Sequence, residues 1–310
     1  VVFGQHLLKG FVAGGGGAGL MVVEGLIYMK LNVGARNKTM FQAISSSAWG
    51  LKPVYAFMSD ASNCGGYKRT PWVVLTAVVA TTAYMTLITE HRALGGALVC
   101  LCFFFGNVQL SWTDLMIEAT YTEKMRVNAP FSADMVSFVW SGVGLFGLVG
   151  IFVAGPGIDW FGPIALLAGA IPFSALIIYP AVRGWLTETR IPPEQRGRST
   201  LDGLRQQWHY FTITVLLTVC VVTTMLSGIM QVDAASQAFI SVTLSAITGT
   251  AAMALLPASI WKPMLFMFLS NAMGFSTAGF VDNFYLDSAT PEESARTGYP
   301  VCEDCPHFSA

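Results

Sequence analysis

Charge is what this sequence has least of. Only 11% of its 310 residues are Asp, Glu, Lys or Arg, against about 25% in an ordinary soluble domain. The formal net charge is −1, and no basic block offers a surface to nucleic acid, which is excluded as a partner. The four histidines and six cysteines do not group at metal-ligand spacings, so neither a metal nor any other cofactor is implied. A nucleophile–base constellation and a dinucleotide fingerprint are also missing, which argues against an enzyme. No cleavable signal peptide is visible, because the first apolar run is too long and others follow it. One Cys pair stands apart: Cys302 and Cys305 form a C-x-x-C in a polar tail. There a disulfide or an incidental spacing is the simpler reading, with metal or redox chemistry the rival.

What is present is apolar length. Hydrophobic residues make up 54% of the chain, and mean hydropathy is +0.57. The apolar residues come in runs of about 20, which at 1.5 Å per helical residue match the roughly 30 Å hydrocarbon thickness of a bilayer. Backbone in lipid must satisfy its own hydrogen bonds, and runs this long are helices rather than barrel strands. The sequence therefore reads as an all-α polytopic membrane protein embedded in the lipid bilayer. Nine runs are expected as spans, at about 9–29, 40–58, 71–89, 94–116, 132–154, 160–182, 209–230, 238–257 and 262–285.

Six spans, a polar segment with five arginines (Arg183, Arg190, Arg196, Arg198 and Arg205) and further spans form the layout of a six-plus-six transporter. The expected divisions are an N-terminal six-helix half, 1–184, a cytoplasmic connector, 185–208, and additional spans opening the C-terminal half, 209–310, with an exterior polar tail. The odd span count, and the Val1 start, read as a fragment of a longer transporter. With the N-terminus in the cytoplasm, inner loops carry Lys9, Lys68, Arg69, Lys124, Arg126 and the connector arginines. Outer loops carry Lys30, Arg36, Lys38 and Arg92, and the outer loop around Gly155 to Asp159 carries no base. The excess of inner bases sets that orientation, and it puts the sequon Asn37-Lys38-Thr39 outside. Gly14 to Gly17 in the first span read as a seam for close helix packing.

Ionisable residues inside spans cost at least about 2.5–3.5 kcal/mol each at a helix centre, so each points to function. The candidates are Glu24 in the first span, Lys52 in the second, and Asp114 with Glu118 in the fourth. Asp114 and Glu118 are four residues apart, on one face of a helix. Two carboxylates so placed can bind and release a proton, as a proton-coupled carrier requires. Lys52 is the base to neutralise them or receive an anionic substrate. Asp282 is a weaker candidate near the end of the ninth run. Asn107 and Gln109 add hydrogen-bonding capacity, and Trp49, Tyr55 and Trp112 are rings on which a planar solute can stack. In the loop after the second span, Asp60 faces Lys68 and Arg69. A carboxylate and bases placed there can latch neighbouring helices in one access state.

That loop has a specific wording: Lys52-Pro53, Ser59-Asp60, Gly66-Tyr67 and Lys68-Arg69-Thr70-Pro71. A second block, Asp114-Leu-Met-Ile-Glu118-Ala119 followed by Glu123-Lys-Met-Arg126, accompanies it. Together they resemble the folate-biopterin transporters, a branch of the major facilitator superfamily. Glu118 stands where that branch usually has Asp. Asp282-Asn-Phe-Tyr-Leu and Pro306-His-Phe-Ser are similar to the exterior loop of its kinetoplastid members. The resemblance implies a major facilitator-type helical bundle that moves folate or biopterin with protons by alternating access, at the plasma membrane. It places Lys52, Asp114 and Glu118 in the central cavity, and Glu123 and Arg126 in an inner charge network. The alternatives are a facilitator for another small solute, including S-adenosylmethionine-like cations, and a non-transporting truncated copy.

Overall fold

The computed structural model describes residues 6, 8–13, 22–61, 64–91, 93–186, 188, 190–192, 207–230, 232–273 and 291–297. The glycine run, Arg92, the connector arginines Arg196, Arg198 and Arg205, Asp282 and the Cys302/Cys305 tail lie outside them. The described residues are helical apart from turns and one isolated bridge between Cys64 and Tyr67. A π-helical segment, Leu8–Ala13, precedes α1 (Val22–Lys30) and α2 (Ala35–Ser46). A 3₁₀ turn, Ser47–Leu51, leads into α3 (Lys52–Ala61), followed by α4 (Thr70–Glu90) and α5 (Gly96–Val127). Then come α6 (Ser132–Ala168), α7 (Ala170–Leu176) and α8 (Ile178–Val182). The remainder comprises α9 (Trp208–Ile229), α10 (Ala234–Leu255), α11 (Ala258–Met273) and the short α12 (Pro291–Thr297). Among the described residues, five helical stretches are long and apolar enough to cross a membrane.

Two compact units result. The first takes Val1–Ile27 with Ser45–Thr200, and the second takes Tyr28–Ile44 with Leu201–Ala310. The first unit is built around α5. In its most apolar window 61% of the residues are buried within the protein, against 11% in α9 and 6% in α10. A helix hidden from lipid can carry polar side chains without exposing them to hydrocarbon, and α5 does so: Asn107, Gln109, Ser111, Thr113 and Asp114 are all buried. The π-helical segment lies against α6 through small residues. A Cβ on Gly10 would stand 2.5 Å from the Val143 carbonyl, and one on Gly150 would stand 2.8 Å from the Phe11 carbonyl. Close backbone approach of this kind is what glycine supplies in membrane helices. In the second unit Ile213, Ala252 and Leu256 form the core, with Trp261 and Met264 against it. Asp233 caps α10 by accepting the Ser236 N–H at 3.0 Å.

Four expectations change. The second span is not one helix: it breaks at the 3₁₀ turn between α2 and α3. Three serines (Ser45 to Ser47) that compete for backbone bonds, then Gly50 and Pro53, account for the break. The fourth helix runs eleven residues past the expected end, to Val127, so that Glu118, Glu123 and Arg126 share a helix with Asp114. At 32 residues it is about 48 Å long, well beyond the hydrocarbon thickness. The loop expected around Gly155 to Asp159 is helical, and the break lies at Gly162 (φ 80°, ψ 166°). Without that break the apolar stretch Ala129–Val182 would have 54 residues, too many for one crossing. Finally, Asn37-Lys38-Thr39 lies within α2 with Lys38 only 3% exposed, which is not the surface loop that a glycosylation acceptor needs.

The Gly162 conformation is one that residues with a Cβ scarcely adopt. Gly162→Ala is expected to lower stability by about 1–3 kcal/mol. Gly155→Ala, whose added methyl meets nothing within 4 Å, should be neutral or slightly stabilising. Thermal melting of the two variants in detergent, followed by gel-filtration recovery, checks the contrast.

Candidate functional site

The break between α2 and α3 starts α3 at Lys52, facing α5. Lys52 Nζ lies 2.7 Å from Asp114 Oδ2 and 3.3 Å from Glu118 Oε2. Lys9, from the π-helical segment, donates to both Asp114 oxygens, at 2.9 and 3.0 Å. Asp114 is 4% exposed and therefore accepts from two ammonium groups that reach it from separate stretches of chain. The two acids are joined through Lys52 rather than to one another. Four formal charges of balanced sign share the site. Such neutrality is what makes partly buried ions tolerable, since an unpaired one would carry its full desolvation penalty.

Aromatic rings line the bases. Lys9 Nζ stands 5.6 Å from the Trp49 ring centre and 5.1 Å from that of Trp140. Lys52 Nζ is 5.2 Å from Trp49, on the 3₁₀ turn. These are cation–π distances. The Trp49 indole N–H donates to Asn107 Oδ1 at 3.0 Å, which fixes the ring beneath both cations. The polar residues expected to serve a solute hold helices instead. Asn107 is spent on Trp49 and on the Phe103 carbonyl. Gln109 donates to the Ser174 carbonyl at 2.9 Å, and the Ser174 hydroxyl donates back to Oε1 at 2.5 Å. Trp112 stacks on both Tyr55 (4.4 Å) and Trp72 (4.7 Å), so these rings pack on one another. Glu24 is buried and accepts the Ser45 hydroxyl at 2.7 Å. It acts electrostatically on Tyr84, whose ring meets α5 at Gly106. Gly106 is eight residues, about 12 Å, along α5 from Asp114.

A second charge group gathers around the start of α4. Arg69 pairs with Glu123 of α5, which keeps its guanidinium firmly protonated; Glu188 and Asp60 add to the same effect through their charge. Arg126 lies exposed three residues on, acting on Glu123 electrostatically. Lys68 contributes through its backbone. Its N–H donates to Glu188 Oε1 at 2.5 Å, as does that of Arg69 at 2.9 Å. The Thr70 N–H and hydroxyl both donate to Glu188 Oε2 at 3.1 Å. One carboxylate therefore accepts four bonds at the N-terminus of α4, where the unpaired N–H groups and helix dipole favour an anion. Two further contacts tie the connector to the same loop. Ile191 N–H donates to the Gly66 carbonyl at 2.9 Å, and Arg190 lies 5.8 Å from the Tyr67 ring centre.

Residues 15–305 match the BT1 family. The chain belongs to that family. Curated proteins similar to it include "Probable folate-biopterin transporter 4" of Arabidopsis thaliana, 28% identical over 109 residues, covering 34% of this chain and 22% of that protein. "Probable folate-biopterin transporter 6" of the same plant is 24% identical over 233 residues, covering 74% of this chain and 37% of its own. The "Folate-biopterin transporter" of Synechocystis sp. (strain ATCC 27184 / PCC 6803 / Kazusa) is 21% identical over 136 residues, covering 44% and 27%. The matched parts thus span between 22% and 37% of these relatives' lengths. No solved structure matches. The chain is thus a multi-pass membrane protein of a transporter family, and its helices are consistent with part of a major facilitator-type bundle.

Within this BT1 chain, Lys52, Asp114 and Glu118 do come together. Two contributors escaped the sequence reading. Lys9 looked like an inner-loop base because it opens the first apolar run; its ammonium is instead on Asp114. Glu188 was passed over among the arginines of the connector. An acid placed at a helix start in space, but 118 residues from Thr70 in sequence, leaves no local pattern.

Removing one member of the buried group should be worse than removing it whole. Asp114→Ala leaves Lys9 without its acceptor and Lys52 with Glu118 alone, and is expected to cost about 3–5 kcal/mol. The quadruple variant Lys9→Met, Lys52→Met, Asp114→Leu, Glu118→Gln should melt closer to the parent in detergent. At the other group, Glu188→Ala should speed amide hydrogen exchange at Lys68, Arg69 and Thr70, while exchange in the middle of α4 stays unchanged.

Proposed function

We propose that this BT1 protein carries folate or biopterin across the membrane, coupled to protons, by alternating access. The carrying observation is the Lys9–Asp114–Lys52–Glu118 group on the least lipid-exposed helix. A pterin ring presents adjacent N–H donors that suit a carboxylate such as Asp114, and folate adds carboxylates that suit the two ammonium groups. The Trp49 and Trp140 rings beside those groups offer apolar faces to a flat heterocycle. Trp112 has its ring committed to Tyr55 and Trp72 and is left out of this role. Glu24, buried with the Ser45 hydroxyl as its donor, is also assigned to proton or substrate binding. A facilitator for a cationic solute is a weaker reading, because both carboxylates already have an ammonium partner.

The second charge group is assigned a conformational role. Asp60, Lys68, Arg69, Glu123 and Arg126, with Glu188 added, hold the ends of α3, α4 and α5 together, and remaking these contacts would accompany the change of access. In this reading 1–184 form the first six-helix half, 185–208 the connector, and 209–310 additional spans that open the C-terminal half. The plasma membrane is the proposed location.

The test is uptake of labelled biopterin and folate by transport-deficient cells expressing the complete reading frame, with and without an inward proton gradient. Saturable uptake stimulated by the gradient and reduced at least tenfold by Asp114→Asn is the expected result. Surface expression with no uptake of either compound would sink the substrate assignment.

A further inference from the structure

One buried titratable side chain has no part in either charge group's ion pairs. His6 is 3% exposed, and neither ring nitrogen has a hydrogen-bond partner among the described residues. A buried imidazole without partners forfeits hydrogen bonds that water would have supplied, so it calls for a reason. Its surroundings offer one. It lies three residues before Lys9; burial, the largest effect, pushes its proton affinity below the ordinary imidazole range, the Asp114 charge raises it and the Lys9 charge lowers it. Its Cβ presses on α6, where a Cβ added to Gly142 would stand 3.4 Å away. Two residues from Gly142, Trp140 lies beside the Lys9 ammonium. The imidazole is therefore packed at the edge of the ion-paired group, not in a remote core.

The charged groups around it are few. On its own segment there is Lys9, and on α5 there is Asp114, already shared with Lys52. On α6 the acids are Asp134 and Asp159, about 12 and 25 Å along the helix from Gly142. The α7 helix, which touches the segment through Phe173 on Phe11, carries no charge. Glu118, one turn further along α5, is paired with Lys52, and Asp114 is the acid whose charge acts on the ring.

We propose that His6 is the proton-carrying residue of this site, a role that rests on the proposed proton-coupled transport. Of the side chains gathered there it has an unperturbed titration range near physiological pH. Lys9, Lys52, Asp114 and Glu118 are engaged in ion pairs, whereas the imidazole has two open nitrogens. In the cycle one proton binds a ring nitrogen from the side to which the site is open. The imidazolium N–H then competes with the Lys9 ammonium for Asp114, which loosens Lys9 toward an anionic solute. Opening to the other side releases the same proton and the Lys9–Asp114 pair re-forms. No other bond is made or broken.

The experiment has two arms, both on the complete chain in lipid nanodiscs or proteoliposomes. The first follows deuterium exchange at the His6 ring carbon by mass spectrometry from pH 5 to 8, in the wild type and in Asp114→Asn. His6 should titrate toward the acid end of that range, because burial opposes the charged ring, and its proton affinity should fall by about tenfold when the neighbouring carboxylate is removed. A flat profile, or a midpoint indifferent to Asp114, overturns the assignment. The second arm compares gradient-driven uptake of labelled folate with uptake at equal pH, in the wild type and in His6→Gln. The variant should lose acid stimulation, its uptake with the gradient falling to within about twofold of its uptake at equal pH. Wild-type acid stimulation in His6→Gln, at equal protein level, also overturns the proposal. A wild type that moves no pteridine defeats the transport reading instead, and the assignment of His6 as the proton-binding group is then decided by the first arm.

Discussion

One carboxylate, Asp114, organises the first unit. It is buried on the most enclosed helix and accepts bonds from two lysines that arrive from different directions along the chain. Two local irregularities make this possible. The π-helical turn carries Lys9, and the 3₁₀ turn ahead of α3 lets Lys52 and Trp49 both face α5. Regular helix throughout would have fixed each side chain's bearing by its sequence position alone. Departures from α geometry are where membrane helices re-aim their polar groups, and they are tolerated when neighbouring helices satisfy the freed backbone groups.

The two charge groups in this unit do different physical work. Around Asp114 the ions are partly buried beside tryptophan, with Asp114 itself the most enclosed, so its loss leaves Lys9 without a counter-charge. Around Arg69 and Glu123 the pair is largely solvated: the Glu123 side chain is 60% exposed. Solvated pairs contribute little stability each. Glu188 is the exception there, because its bonds go to backbone N–H groups at a helix start that have no intrahelical partner. A wet pair that can be exchanged at small cost, anchored by a carboxylate that cannot be dropped cheaply, suits a contact that must open and close again.

Much of this was legible in the sequence because membrane solvation leaves strong marks. Apolar runs of about 20 residues gave the helical class, and charges inside them pointed to Lys52, Asp114 and Glu118, which the structure brings together. The failures share one cause: hydropathy averages over local geometry. It merged α2 and α3 into one span, although the serine cluster, Gly50 and Pro53 marked a break. It placed a loop at Gly155 to Asp159 because Gly155 and Pro156 look like a turn, whereas the chain breaks at Gly162. Lys9 sat at the margin of a run, where an inner-loop lysine and a site lysine look alike. Glu188 could not be found by periodicity at all, because it acts on a helix start far away in sequence.

Charge balance decides what such a site can carry. With Lys9 and Lys52 set against Asp114 and Glu118, the empty group is formally neutral, so it can face either side of a membrane without a net charge to desolvate. An anionic solute added to it would break that balance, and a change of access with an uncompensated anion in low dielectric would be opposed by desolvation. One proton per added negative charge restores neutrality. That is a physical reason for a carrier of anionic pteridines to be proton-coupled, and it asks for a group that is neutral when the site is empty and positive when it is filled. The lysines are already positive and the acids already paired. An imidazole with open nitrogens at the rim of the group meets the requirement without breaking an ion pair to do so.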